Sequence, residues 1–373
     1  MKHPEFPLTD SLIYLNHAAV APWPKRTSMA VSRFAEQNSH FGSHYYLDWL
    51  KKETHLREQL QTLLNAPSAD DIALVKNTSE ALSFVAYGLD WRSGDNIVSS
   101  NEEFPSNRLP WESLAPLGVE LRQADLNSGD SPESALFNLV DRNTRLLTIS
   151  SIQFASGLRL DLEQIGSFCK QRQILFCIDA IQSIGAVQFD AQACQADFVM
   201  ADGHKWMFGP EGLGVFYTTP EARDQLKLTQ YGWHMMKNIH NYENKPWEIH
   251  PTARRFECGS PNMLGIHALS ASLSLLLETE MKAVETLVIE NTDRLIAGIE
   301  HNSQLSLLSR HRNHLKSGIM TFKHNRLAND TLYQYLQKNG VVCALRGGGI
   351  RFSPHFYHTP EELDKVIELL SSL

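Results

Sequence analysis

The chain has 373 residues, 42% hydrophobic and 20% charged, as expected of an ordinary soluble protein with room for two domains and a substantial core. Lys and Arg number 34 against 42 Asp and Glu, a net charge of −8, and with no dense basic block this balance excludes a nucleic-acid footprint. No apolar run approaches the ~20 residues of a membrane span and residues 1–10 lack a signal-peptide core, so a cytoplasmic location and no membrane partner are expected.

Residues 1–13 read as a short arm in which Pro4 and Pro7 prevent regular structure. Pro24 suits a helix start, and Val31, Phe34 and Ala35 begin a helical stripe. The stretch 40–46 is aromatic and histidine-rich without periodicity: it either lines a substrate mouth or is a loop packed on its own rings. Leu56, Leu60, Leu63 and Leu64 fall at helical spacing within 51–64. Residues 72–76 form a strand, followed by a helix from Asn77 to about Gly88. Thr78 and Ser79 at its start either cap free N–H groups or build an anion site with them and the helix dipole. Strands at 96–100 and 145–152 lead to Phe104 and Gln153, and a helix spans 161–171.

The apolar run 174–178 reads as a buried strand delivering Asp179 to the carboxyl edge of a sheet, where ligands of α/β proteins bind. A second apolar run, 198–200, precedes Lys205 and a glycine-rich turn, and a strand follows at 214–217. Residues 229–252 hold Trp233, His234, His240, Trp247 and His250 without periodicity, a long loop that either serves function or covers a dimer contact. Helices at 262–278 and 282–299, strands at 317–323 and 341–345, and a helix from Pro360 complete the chain. Repeated strand-then-helix order predicts a mostly parallel sheet with helices on both faces. The large domain is expected to span 14–278, and a small α+β domain to combine 1–13 with 279–373.

Five cysteines, Cys169, Cys177, Cys194, Cys258 and Cys343, are an odd number without a C-x-x-C pair, so free thiols are expected rather than disulfides or a zinc site. His311 and His314 form a tight histidine pair, and no carboxylate or cysteine cluster joins them, so no metal is expected. Lys205 is a candidate reactive amine: a lysine attacks a carbonyl after losing its proton, which burial or a nearby cation promotes. A carboxylate at a sheet edge needs a cation. Pyridoxal phosphate (PLP) meets both demands, with an aldehyde for Lys205 and a protonated ring nitrogen, the electron sink, for Asp179. Nicotinamide and P-loop chemistry lack their glycine fingerprints here, and the G-x-S-x-G of serine hydrolases is absent. The alternative of a different class is a non-catalytic module on the same fold, which bound colour would distinguish.

Seven motifs run in one order: Tyr14-Leu15-Asn16-His17-Ala18-Ala19, Asn77-Thr78-Ser79-Glu80-Ala81, Glu103-Phe104-Pro105-Ser106-Asn107, Asp179-Ala180-Ile181-Gln182, His204-Lys205, Glu257-Cys258-Gly259-Ser260-Pro261-Asn262 and Ile350-Arg351-Phe352-Ser353-Pro354-His355. In them the chain resembles the class V aminotransferase family, PLP enzymes of fold type I that include cysteine desulfurases, kynureninases and isopenicillin-epimerase-like proteins. The resemblance implies a seven-stranded, mostly parallel sheet with one antiparallel strand, at 214–217. It also implies that Lys205 carries the Schiff base and shuttles the substrate α-proton, while Asp179 keeps the ring nitrogen protonated. By the same resemblance Gln182 bonds the ring hydroxyl, Gln153 adds a polar contact and Phe104 stacks on the ring. Thr78, Ser79, His204 and, in a homodimer, Ser260 of the partner subunit take the phosphate. Asn16 and His17 line the substrate end of the cleft, and Arg351 grips the α-carboxylate.

Two departures bear on the pocket. Ile181 is bulkier than the family's usual alanine. Asp202 stands where desulfurases usually have serine, and is expected to turn from the phosphate toward a cationic or hydrogen-donating neighbour. Arg346 either meets an acidic side chain or is a solvated turn arginine. A desulfurase or selenocysteine lyase needs a mobile nucleophilic cysteine near Arg351, and the candidate, Cys343, lies in the apolar run 341–345. The expected reaction is therefore amino transfer between an amino acid and a keto acid, with desulfurase, selenocysteine lyase, other lyase or epimerase chemistry as alternatives.

Overall fold

The computed structural model describes residues 3–239, 243, 247–310, 312 and 314–373. Its main sheet has seven strands, side by side in the order Ile72–Val75, Gly214–Thr218, Phe198–Asp202, Leu175–Asp179, Thr144–Ser150, Asn96–Ser100 and Glu120–Ala124. Gly214–Thr218 runs antiparallel to both neighbours and every other pair is parallel, as the family resemblance implied. The strands read as continuous apolar runs because both faces of the sheet are covered. Alternate side chains go to opposite cores: Val199 and Ala201 join the packing of Lys25–Phe41, Tyr46–Leu64 and Met263–Thr279, whereas Phe198 and Met200 pack with Thr78–Gly88.

A second sheet, antiparallel, orders Ala344–Arg346, Gly349–Phe352, Met320–His324 and Leu305–Leu307. Met281–His301, Asn329–Lys338 and Pro360–Ser371 contribute to its separate apolar core. The chain's first strand, Ile13–Tyr14, pairs in parallel with Val341–Val342, and Asn16 bridges Ser353, so the start of the chain is stitched to its last segment.

Several boundaries differ from the sequence reading. The first helix runs through Phe41 and stops at Gly42, whose φ of 55° suits a residue without Cβ, and the next helix begins at Tyr46 rather than near 51. Within the aromatic stretch Tyr45 sits edge-on to Phe41 at 5.6 Å and to His44 at 4.8 Å, the self-packed alternative. The run 341–345 is interrupted at Cys343, and the strand expected from 317 begins at Met320. His240 and His311 lie outside the described residues. No helix among the described residues is long and apolar enough to cross a membrane.

Candidate active site

Beyond the carboxyl ends of the parallel strands lies a cavity of about 220 Å³ into which several of the sequence-predicted residues converge. One end is built by the start of helix Thr78–Gly88. Asn77 caps it by accepting the Glu80 N–H at 2.9 Å, and Thr78 and Ser79 line the cavity where the helix N–H groups are free. Thr78 is only 4% exposed and its Oγ1 has no hydrogen-bond partner. His204 faces the same cavity. Its Nδ1 stands 3.3 Å from Asp202 Oδ1 without the alignment of a hydrogen bond, and has no other partner. Asp202 lines the cavity instead of turning from it. Its Oδ1 accepts the Gly203 N–H at 3.1 Å, so the hydrogen-donating neighbour is there.

The middle of the cavity holds Lys205 and Asp179. Asp179 ends the strand Leu175–Asp179 in register with Ser150 and Met200, and its Oδ1 accepts the Ile181 N–H at 3.1 Å. Burial raises its pKa, and the nearby Glu103 charge pushes the same way. Burial lowers the pKa of Lys205; the Asp179 charge opposes this, and Arg351 adds to it. Phe104 is 41% exposed and presents its ring at 5.7 Å from Lys205 Nζ, held edge-on by Phe154. Gln182 is fixed from two sides, its Oε1 accepting Trp206 Nε1–H at 2.8 Å and its Nε2 donating to Ala18 O at 3.1 Å. One Nε2 hydrogen remains for the cavity.

At the other end Arg351, on strand Gly349–Phe352, donates from Nη1 to Phe154 O at 2.8 Å, while its buried Nε has no partner. Burial lowers its pKa to about 10, and Arg346, which also lines the cavity, adds to this.

Four expected residues are elsewhere. His17 is wholly buried: Nδ1–H donates to Ser353 O at 2.8 Å and Nε2 accepts from Tyr357 O–H at 2.8 Å, so it braces the join between chain start and chain end instead of lining the substrate end. Asn16 is drawn into the same join by its bridge to Ser353; Ala18 and Ala19 reach the cavity in their place. Gln153 lies one layer back, buried, donating to Glu103 Oε1 at 2.8 Å. Ser260 lines a separate groove with Lys76, Gln230 and Gly212.

Sequence reading missed two networks. Glu103, quoted only as part of a motif, accepts from Ser150 N–H and O–H, Gln153 and Asn107, anchoring the segment that presents Phe104. Glu53, His234 and Glu257 gather within 4.8 Å of one another, and Arg57 sits between the carboxylates, bonding Glu53 at 2.7 Å and Glu257 at 2.6 Å. The sequence shows only the Glu53–Arg57 spacing of four on one helix, because His234 and Glu257 come from other segments.

The Aminotransferase class-V family model matches residues 13–366. The chain belongs to that family. A probable cysteine desulfurase of Methanothermobacter thermautotrophicus is 28% identical over 391 residues, 99% of this chain and 96% of that protein. Among solved structures, the apo cysteine desulfurase of Thermococcus onnurineus has a TM-score of 0.89 at 23% identity, covering 99% of this chain and 96% of that one. A cystine C–S lyase, in complex with its reaction product cysteine persulfide, has a TM-score of 0.91 at 21% identity, covering 99% of both chains. The fold is fold type I, as expected. These relatives bear desulfurase and lyase names, so the expectation of amino transfer as the main reaction gains no support from them.

The cofactor of this class V enzyme is PLP, and the cavity fits it. An anion finds free helix N–H groups, an orphaned Thr78 hydroxyl and an orphaned His204 nitrogen at one end. A cationic ring nitrogen finds the buried Asp179 carboxylate, and an aldehyde finds the amine of Lys205.

Proposed function

We propose that this class V enzyme is a PLP-dependent carbon–sulfur lyase acting on a cysteine-derived amino acid, with the sulfur leaving on the substrate's own fragment. The balance is RS–CH2–CH(NH3+)–COO− plus water to RSH, pyruvate and ammonium: the β-carbon–sulfur bond breaks and its electron pair leaves with sulfur. One observation carries the reading: none of the five cysteines lines the cavity that gathers Lys205, Asp179 and Arg351. Cys343, nearest Arg351 in sequence, is 3% exposed, and burial pushes its thiol up to about 12, so it is packed and protonated where a sulfur-accepting thiolate is needed. The desulfurase and cystine-lyase names of its relatives support carbon–sulfur cleavage over amino transfer.

PLP supplies, when bound, an electron sink for the charge that develops at the substrate α-carbon. Lys205 Nζ takes the α-proton; its lowered pKa makes the free amine accessible near neutral pH. The Asp179 carboxylate holds a proton on the ring nitrogen, and that cation compensates the burial that raises Asp179 on its own. Gln182, clamped by Trp206 and Ala18, would give its remaining N–H to the ring hydroxyl, and Phe104 would cover the ring. Thr78, Ser79 and His204 bind the phosphate, and the buried Arg351 fork takes the α-carboxylate. Gln153 acts indirectly, by holding Glu103. In this reading the protein is a homodimer and Ser260 of the partner subunit completes the phosphate site. Heterodimers mixed from Lys205→Ala and Ser260→Ala subunits should then differ in activity from the sum of the parents, and simple additivity removes this part of the reading.

The test of the reaction is product analysis with the PLP-loaded enzyme on L-cystine and L-cysteine, with and without a keto acid. Pyruvate should form without keto acid, with a persulfide from L-cystine and hydrogen sulfide from L-cysteine, undiminished in Cys258→Ala and Cys343→Ala. Alanine and protein-bound sulfur that vanish on replacing a cysteine would establish desulfuration instead, and keto-acid-dependent amino exchange with sulfur retained would restore amino transfer.

A further inference from the structure

Glu103 is a buried carboxylate that no ammonium or guanidinium group bonds among the described residues. Its Oε1 accepts from Ser150 N–H at 2.9 Å, Gln153 Nε2 at 2.8 Å and Ser100 O–H at 3.3 Å. Its Oε2 accepts from Asn107 Nδ2 at 2.8 Å and Ser150 O–H at 2.5 Å. The Asn107 amide is fixed in that orientation, because its Oδ1 accepts Trp111 Nε1–H at 3.0 Å and Thr148 O–H at 2.8 Å. The Ser150 N–H and the fixed Asn107 amide can only donate, so this shell suits an ionised carboxylate. Burial nevertheless leaves the Glu103 pKa raised, against the pull of those bonds. The free protein therefore holds a costly anion that a nearby positive charge would relieve.

The sheet sets where that charge lies. Ser150, which binds Glu103 twice, ends the strand Thr144–Ser150 in register with Asp179, and paired residues of parallel strands present their side chains on one face. Ser150 and Asp179 both line the cavity, and Glu103 stands behind them. Burial raises the pKa of Asp179 and the Glu103 charge adds to it; Lys205 and Asp202 are the other charges that act on Asp179. Anchoring Phe104 alone would not require a charge, since a neutral amide accepts hydrogen bonds without the same desolvation cost. We propose that Glu103 is a positioning residue for the cofactor's ring nitrogen: a second buried negative charge, acting through Asp179, that holds the ring proton in place. This rests on the reading that sets the ring nitrogen against Asp179.

The test compares PLP with 1-deaza-PLP, in which carbon replaces the ring nitrogen and no ring proton can be held. The apo-protein is titrated with each and the two Kd values give the preference for the charged ring. Wild type should prefer PLP. Glu103→Gln should bind PLP roughly 3- to 30-fold more weakly while its affinity for 1-deaza-PLP stays unchanged. Glu103→Gln combined with Asn107→Asp moves the carboxylate to the other end of one hydrogen bond and should recover much of the preference. Equal losses for both compounds in Glu103→Gln would mean that Glu103 only anchors the Phe104 segment, and would overturn the inference, as would an unchanged preference. If the new amide opposes that of Asn107 and the chain does not fold, Glu103→Met provides the same comparison without the opposing hydrogens. Asp179→Asn tests the underlying reading, and should abolish the preference. A preference intact in Asp179→Asn rejects the placement of the ring nitrogen, whereas one that falls in Asp179→Asn but not in Glu103→Gln rejects the role of Glu103 alone.

Discussion

Replacing Thr78 by valine should move apo-protein stability and cofactor affinity in opposite directions. Thr78 is 4% exposed and its Oγ1 meets no partner, so the free protein carries the desolvation cost of a buried hydroxyl with nothing in return. That cost is about 1–3 kcal/mol, and valine removes it while keeping the shape. With an unfolding entropy of about 2.1 cal/mol/K per residue over 373 residues, a gain of that size raises the apo Tm by roughly 1–4 °C. The phosphate meanwhile loses one charge-assisted hydrogen bond of about 1.5–3 kcal/mol, equivalent to a Kd about 10- to 150-fold weaker. Scanning calorimetry of the apo-protein and spectrophotometric titration with PLP measure the two effects, with Thr78→Ser as the control that keeps both near wild type. A lowered apo Tm with an unchanged Kd would refute the reasoning, because the hydroxyl would then be a helix cap and not a ligand.

Acid should weaken the fold through the buried histidines. Burial lowers His17, His355 and His358, so folding stability is complete above the unfolded value of 6.5 and lost as pH falls through that value toward about 3 for His355. Urea melts between pH 7 and 4.5 should show the loss, and His355→Asn should flatten the slope by up to about 1.4 kcal/mol per pH unit; an unaltered slope counts against it. Trp206→Phe strands the buried Gln182 Oε1 and should cost about 1–3 kcal/mol in denaturation while shifting the absorbance of bound PLP; no change in either measurement would mean that the clamp is idle. Gly340→Ala places a Cβ 2.0 Å from Ser11 O at a φ of 78°, and should cost more than about 2 kcal/mol by denaturant midpoint, an expectation that a wild-type midpoint would end.

What was legible in the sequence followed from local chemistry. Buried parallel strands must be apolar throughout, so the runs ending at Asp179 and preceding Lys205 announced both the sheet and its ligand edge. The helix start at this point was equally local, although the cap is Asn77 and not Thr78 or Ser79, to which the sequence reading gave that role. His17 was misread because its partners, Ser353 and Tyr357, lie at the far end of the chain, and no periodicity reports a contact of that span. Gln153 sits behind the cavity wall because one buried carboxylate, Glu103, takes its Nε2–H, a pairing no local pattern reports, while its Oε1 has no partner. The start of the second helix was missed although Tyr46, Trp49 and Leu50 already fall at helical spacing and pack on the core, because the aromatic run before them was read as a loop without periodicity.

The join around His17 also governs when the site comes into being. The His17–Ser353 bond spans 336 positions, His358 Nε2 donates to Tyr14 O across 344, and His355 Nε2 donates to Trp206 O, the residue beside Lys205. Such closures lose chain entropy before any contact rewards them, which makes this a slow, late step of folding. On a ribosome the seven-stranded sheet has its strands in hand once Thr218 is made, yet the brace behind Lys205 waits for residues 353–358. Competence for the cofactor is thus acquired near the end of synthesis, and chains released early lack the brace and hold a loose lysine loop.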